Sequence, residues 1–349
     1  MKAQSLYHTY QRYRTLKTHR ISALPIVILM PHSACNCRCV MCDIWKDNKN
    51  LKQLNEEDIS GLLSTLKDLG TRQVLMSGGE ALMNQHFFRL CQMLKQLKIR
   101  ITLLSTGLLI NRYTDPILKW VDDLIVSLDG DASTHDAIRN ISGAYAKLSE
   151  GIRGLKQKQP DYRVTSRTVI HRMNFRKWSS IIQSAKEMGI NQVSFLPADV
   201  SSHAFNREVL WSEQKQHEVA LEIQELQEMR DVLDQLFTDH KEDFENGFIA
   251  ESPSKLNLIY SYYKALHGLC EFPAKKCNAP WVSTVIEADG TVRPCFFHGS
   301  LGNIREQSIG EILNGRGSMK FRKELDMTTN DTCRKCVCYL NLPVTTSPV

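Results

Sequence analysis

No run of about 18 consecutive apolar residues occurs in the 349 residues, so a membrane-spanning helix is not expected. The first twenty residues are basic and tyrosine-rich but lack the apolar core of a secretion signal, which argues against export. Internal repeats and low-complexity tracts are missing, which sets aside solenoid and fibrous architectures. Charge of one sign is in short supply: 44 Lys and Arg against 38 Asp and Glu leave a net +6. No basic patch is interleaved with aromatics, so nucleic acid is not an expected partner. With 42% hydrophobic and 23% charged residues, the composition is that of a globular protein with a sizeable core. The length suits one large domain and a smaller one.

Cysteine is what the chain does have, with eleven in all. In a chain without an export signal, thiols belong to a reducing cytoplasm and to metal rather than disulfides. Four fall within residues 35–42, and Cys35, Cys39 and Cys42 stand as C-x3-C-x2-C, with Cys37 extra. A sharp loop of that spacing can aim three thiolates at three corners of one iron–sulfur cube. Cubane clusters normally take four cysteines, so a three-cysteine loop suggests an iron left open for another ligand. A zinc knuckle is the alternative, although structural zinc sites usually repeat a C-x2-C pair and close four ligands. A second group comprises Cys277, Cys295 beyond an Asp289-Gly290 hairpin turn, and Cys333-x2-Cys336. Spacing alone divides this group between a further cluster and a four-cysteine zinc site.

Between the two groups the hydrophobic pattern alternates. Strands are expected at residues 26–30, 72–77, 99–104, 123–128, 163–171 and 192–196. Helices are expected at 54–69, 85–97, 115–121, 145–156 and 178–188, with Asn55 a plausible cap for the first. This alternation predicts an α/β fold with a parallel sheet and covering helices, its chemistry on the loops at the strand C-termini. The cysteine loop, Ser77-Gly78-Gly79-Glu80, Ser105-Thr106-Gly107 and Ser127-Leu128-Asp129-Gly130 all fall there. Beyond Pro197 the rhythm stops. One long helix is expected over 213–237 with an apolar stripe that includes Ile223, and a strand over 281–286. Tyr260, Tyr262 and Tyr263 are expected in the core or at an interface. Cys91, in an apolar helix, is expected to be an inert core thiol.

Taken together, these motifs resemble the radical SAM enzymes, over residues 25–200. The resemblance implies a partial (β/α)6 TIM-like barrel with a C-terminal β-hairpin/helix cluster-binding extension. It implies a 4Fe–4S cluster on Cys35, Cys39 and Cys42 whose open iron chelates S-adenosylmethionine (SAM). Ser77, Gly78, Gly79 and Glu80 would meet the methionine amine, with Ala81 where the family usually has proline. Ser105 or Thr106 would serve SAM or the substrate, Ser127 and Asp129 the ribose or, for the serine, the SAM carboxylate, and Arg139 that same carboxylate. Met41 and Leu196 would flank the nucleoside. Val126 to Gly130 followed by His135-Asp136-Ala137-Ile138-Arg139 resembles the subgroup with a C-terminal SPASM or twitch domain. Few residues follow Cys336, which favours a twitch-like domain in which Cys277, Cys295, Cys333 and Cys336 would ligate a single auxiliary 4Fe–4S cluster. Expected boundaries are a lead-in at 1–24, the core at 25–200, a helical substrate-shaping segment at 201–276 and the cluster domain at 277–349.

The implied activity is reductive cleavage of SAM to a 5′-deoxyadenosyl radical that abstracts hydrogen from a small molecule. A sugar, nucleoside, aminocyclitol or amino acid would suit, with dehydrogenation, epimerisation or rearrangement as the outcome. The alternative is maturation of a ribosomally made peptide, although the 24 residues before the first strand are short for the leader-binding domain of many maturases. A flavodoxin- or ferredoxin-type reductant is the expected partner, and the cytoplasm the expected location. Cys270 and Cys338 are candidates either to replace or supplement a cluster ligand or to donate hydrogen to a substrate radical.

Overall fold

The computed structural model describes residues 6–207 and 209–348. Helix α1 (Leu6–Thr18) leads into the first strand, β1 (Ile26–Leu29). Five further strands follow: β2 (Gln73–Met76), β3 (Arg100–Ser105), β4 (Asp123–Ser127), β5 (Val164–Ile170) and β6 (Gln192–Pro197). They pair in parallel in chain order, β1 to β6. Parallel neighbours need crossovers, and these are α2 (Glu56–Asp68), α3 (Phe87–Lys95), α4 (Thr114–Trp120), α5 (Ala132–Arg139), α6 (Ala144–Lys158) and α7 (Trp178–Glu187). The expected partial (β/α)6 arrangement is present. Asn55 caps α2 as expected: its side chain accepts from the Asp58 N–H at 3.0 Å, and Asp58 accepts from the Asn55 N–H at 2.9 Å. Cys91 is fully buried in α3.

Beyond β6 the chain departs from expectation in two places. The single helix over 213–237 is broken into α8 (Glu213–Val219), a 3-10 turn (Ile223–Glu225) and α9 (Leu226–Asp239). Ala220 turns extended so that both Val219 and Leu221 reach the core. Glu222 and Glu225 then restart the helix as a capping box, held by Arg172. Ile223, expected on the apolar stripe, is accordingly 51% exposed. After α10 (Lys241–Glu245), residues 248–250 bond the outer edge of β6, and α11 (Pro253–Leu266) packs over its end. Tyr262 and Tyr263 are core residues, their hydroxyls donating to the carbonyls of Ala198 and Ile170.

The expected strand over 281–286 is the second departure. Its first two residues belong instead to a helical turn, α12 (Ala279–Val282), entered through Pro280. Only Ser283–Ile286 forms a strand, β7, and it lies parallel to β1 in the register Leu29 to Ile286. The hairpin continues antiparallel through β8 (Thr291–Arg293) and β9 (Gly302–Asn303), giving a nine-stranded sheet of order β6-β5-β4-β3-β2-β1-β7-β8-β9. The C-terminal extension is thus joined to the core through the sheet itself. Three helices complete it: α13 (Ile309–Asn314), α14 (Arg316–Glu324) and α15 (Asp331–Lys335). Arg12 of α1, only 2% exposed, donates to the carbonyls of Leu342, Pro343 and Thr346 and binds the two ends of the fold together. No helix among the described residues is long and apolar enough to cross a membrane.

Candidate active site

The cysteine loop leaves β1 and is tied down by backbone. The Ser33 N–H donates to the Lys52 carbonyl, and the Asn48 amide exchanges two hydrogen bonds with the backbone of Cys35. The carbonyls at the end of α5 do the rest: Ile138 accepts from Val40, and Arg139 accepts from Arg38 at 3.0 Å. A helix C-terminus leaves such carbonyls without partners, so α5 both needs and holds this loop. Cys35, Cys39 and Cys42 all border one cavity of about 320 Å³, while Cys37 is turned away and fully buried.

Ser77, Gly78 and Gly79 form the next part of the cavity wall. A Cβ on Gly79 would sit 2.1 Å from the Ala34 carbonyl oxygen. The close approach that the two glycines permit is therefore between this loop and the cysteine loop. Glu80 does not border the cavity. It is wholly buried and accepts from the Leu82 and Thr106 N–H groups and from the hydroxyls of Ser105 and Thr106. Burial raises its carboxyl against those four donors. Its position makes it the brace that sets Ser105 and Thr106, both of which border the cavity.

Ser127, Arg139, Leu196 and Met41 also lie on the wall. Asp129 does not. It is fully buried and accepts from Arg139 Nε at 2.6 Å and Nη2 at 2.9 Å, with His135 Nδ1 at 3.3 Å. Burial opposes its charge, but Arg139 and His135 outweigh that and hold the carboxyl well below its ordinary range. The remaining guanidinium nitrogen, Nη1, lies 3.4 Å from Cys39 Sγ. A hydrogen bond from Cys37 and, against burial, the charge of Arg139 bring the Cys39 thiol down to about 6. Burial pushes Cys42 up to about 12. Asp129 is thus placed as counter-ion to Arg139 rather than toward a ribose.

The far side of the cavity comes from segments without a readable motif. Asp199, His203, Phe205 and Asn206 border it after β6, and Glu287, Arg293 and Phe297 border it from the C-terminal hairpin. Arg207 is completely buried and donates to the side chain and carbonyl of Asp199 and to the Met41 carbonyl. It lies 3.8 Å from the Trp211 ring centroid, and Trp211 in turn donates to Asp43 at 2.7 Å. This segment is lashed across the cysteine loop. Arg167, on β5, reaches the same wall. Its signal in the sequence was a lone charge within Val-Thr-Ser-Arg-Thr-Val-Ile, a strand otherwise without charge.

Cys277, Cys295, Cys333 and Cys336 border a second cavity, of about 210 Å³, together with Cys338 and His298. His298 Nε2 lies 3.3 Å from Cys333 Sγ. Burial raises Cys295 to about 12 and Cys333 to about 11. Phe297 and Cys338 border both cavities and form the partition between them. Cys270 borders neither; it is exposed and donates to the Ser261 carbonyl.

Two family profiles match the chain: the Radical SAM superfamily over residues 29–185, and SPASM, an iron–sulfur cluster-binding domain, over residues 277–337. The chain is a radical SAM protein with a SPASM domain. Its cofactors are accordingly two 4Fe–4S clusters and SAM. The residues present fit them: three thiols facing one cavity with a guanidinium beside one sulfur, and four thiols facing the other. The radical SAM protein is 26% identical over 350 residues to Fe-coproporphyrin III synthase of Methanosarcina barkeri, covering 92% of this chain and 83% of that one. It is 23% identical over 303 residues to a probable GTP 3′,8-cyclase of Saccharolobus islandicus, covering 83% and 87%. Among solved structures, SuiB of Streptococcus suis bound to its precursor peptide SuiA has TM-score 0.63 at 13% identity, covering 93% of this chain and 73% of that one. Native anSMEcpe with bound AdoMet has TM-score 0.63 at 18% identity, covering 90% and 89%. These two structural likenesses concern the fold.

Proposed function

We propose that this radical SAM enzyme oxidises a small organic molecule held in the larger cavity, between the cysteine loop and the SPASM cysteines. The observation that carries this reading is the partition: Phe297 and Cys338 are all that the two cavities share, so a substrate in one is flanked by both thiol groups. Bound SAM and a reduced cluster supply a 5′-deoxyadenosyl radical, which removes hydrogen from carbon. The chain's own residues do the positioning. Ser77, Gly78 and Gly79 offer backbone to the methionine end, and Arg139, kept charged by Asp129, offers a cation to its carboxylate. Met41 and Leu196 flank the adenosine. Phe205 and Phe297, 6.4 Å apart, narrow the cavity and exclude water. Cys277, Cys295, Cys333 and Cys336 would hold the auxiliary cluster through four protein thiolates, and it would supply electron transfer, with oxidation the favoured outcome. The core spans 25–200 and the cluster domain 277–349 in this reading, and a flavodoxin or ferredoxin supplies the electron.

A second substrate reading comes from the relative that aligns over 92% of this chain and is named for Fe-coproporphyrin III. An iron coproporphyrin therefore heads the substrate panel, beside sugars, nucleosides, aminocyclitols, amino acids and a peptide arm. Anaerobically purified enzyme should contain about eight irons and eight sulfides, as two cubes. Given dithionite and SAM it should release 5′-deoxyadenosine slowly, and faster with the true substrate. Stoichiometric zinc without sulfide, or no 5′-deoxyadenosine, overturns the reading. Running the reaction in deuterated water separates the outcomes. Solvent deuterium on product carbon would replace oxidation by a redox-neutral reaction with Cys338, which faces the cavity, as donor.

A further inference from the structure

We propose that Arg167, with Lys255 beside it, forms a subsite for an anionic group of the substrate, a carboxylate or a phosphate. The inference rests on the reading that substrate occupies the larger cavity. It begins with strand register. Ser127, Arg167 and Ser194 are partners across β4, β5 and β6, and partners in parallel strands share a face. Along β5, buried residues alternate with Thr165, Arg167 and Val169, and the last two of these border the cavity. An arginine there takes a position normally filled by an apolar packing residue.

Charge pairing singles it out. The other charged side chains on the cavity wall are matched: Arg139 with Asp129, Asp199 with Arg207, and Arg293 with Glu287 at 2.8 Å. Among the described residues the Arg167 guanidinium has no hydrogen-bond or ion-pair partner, and it is exposed to the cavity space. A recess of about 120 Å³ opens beside it, bounded by Arg167, Lys255, Lys275 and Glu251. The one carboxylate is already committed, accepting from Ser194 Oγ at 2.9 Å and the Phe195 N–H at 3.1 Å. Lys275 donates to the Arg334 carbonyl at 2.8 Å, whereas Lys255 has no ion pair among the described residues. Three cations therefore surround one satisfied anion. The planar guanidinium fork matches two oxygens of a carboxylate or phosphate. Arg167, Leu196, Val337 and Cys338 border both recess and main cavity, so an anion anchored there leaves the rest of its molecule across the main cavity.

The test uses anaerobic holoenzyme with SAM bound and three calorimetric probes: 4-phenylbutyrate, phenyl phosphate and the neutral 4-phenylbutyramide. At least one anion should bind about tenfold tighter than the amide, as expected for a charge-assisted pair. Arg167→Gln should abolish the preference, Arg167→Lys should keep part of it, and Lys255→Gln should reduce it. Which anion is preferred assigns carboxylate or phosphate. If Arg167→Gln does not fold, Arg167→Lys decides, since loss of the planar fork should still weaken the preference. Equal binding of anions and amide, no binding of any probe, or an undiminished preference in the Arg167 variants overturns the proposal. Absence of 5′-deoxyadenosine from the wild-type enzyme would instead defeat the functional reading, and the anion preference is scored independently of it.

Discussion

Arg139 divides its donors between two acidic partners, the Asp129 carboxylate and the Cys39 sulfur. Removing it strands a fully buried carboxylate. Arg139→Ala is therefore expected to cost about 3–5 kcal/mol in urea unfolding of the cluster-free protein, while Arg139→Lys, which keeps the charge, should cost less. SAM affinity should fall with both. The wall residues Ser77, Gly78, Gly79 and Ser127 were legible in the sequence because short motifs at strand ends have few places to go, and Arg139, at the end of α5, through the family resemblance. Glu80 and Asp129 were legible as important carboxylates but not in their direction. Sequence gives the residue type at a strand end, while the neighbour that satisfies a buried charge comes from another element. Arg207 and Trp211 were invisible for the same reason: their partners, Met41 and Asp43, lie some 166 to 168 positions away.

Among the elements, α5 was missed as a helix although its residues carried the family resemblance. It is only eight residues long and ends at Asn140, whose φ of 51° is left-handed. Asparagine tolerates that conformation and a β-branched residue does not. Asn140→Val should thus cost about 1–3 kcal/mol, tilt the carbonyls of Ile138 and Arg139 away from the cysteine loop, and lower iron bound there. Thermal unfolding and iron analysis of the reconstituted protein would show both effects. Long periodic helices and the six parallel strands were legible because their apolar patterns are local. The break after Val219 was not, because the stripe runs on through a segment whose course is set by Arg172 and a new capping box.

For the molecule as a whole, buried titratable groups set an acid limit. Burial pushes His171 down to about 4, whereas in the unfolded chain it titrates near 6.5. The unfolded state therefore binds its proton first, and the stability this group contributes is complete above about pH 6.5 and falls as pH drops toward 4. Asp129 has the same sign at lower pH: its depressed carboxyl contributes above about pH 4 and is lost below. Urea midpoints of the cluster-free protein should decline between about pH 6.5 and 4. His171→Asn or His171→Gln should flatten the upper part of that decline.

The pairing of β7 with β1 bears on the order in which the protein is made. The strand that launches the cysteine loop has β2 on one side, available early, and on the other Ile286, which comes 257 residues after its partner Leu29. At about 5–20 residues per second of synthesis, that second edge stays unpaired on the order of ten to fifty seconds. For most of this interval the cysteine loop is already made and hangs from a strand half built, and iron delivered then would meet thiols whose frame is still open. Seating of the first cluster in its finished frame waits on a strand made 257 residues later.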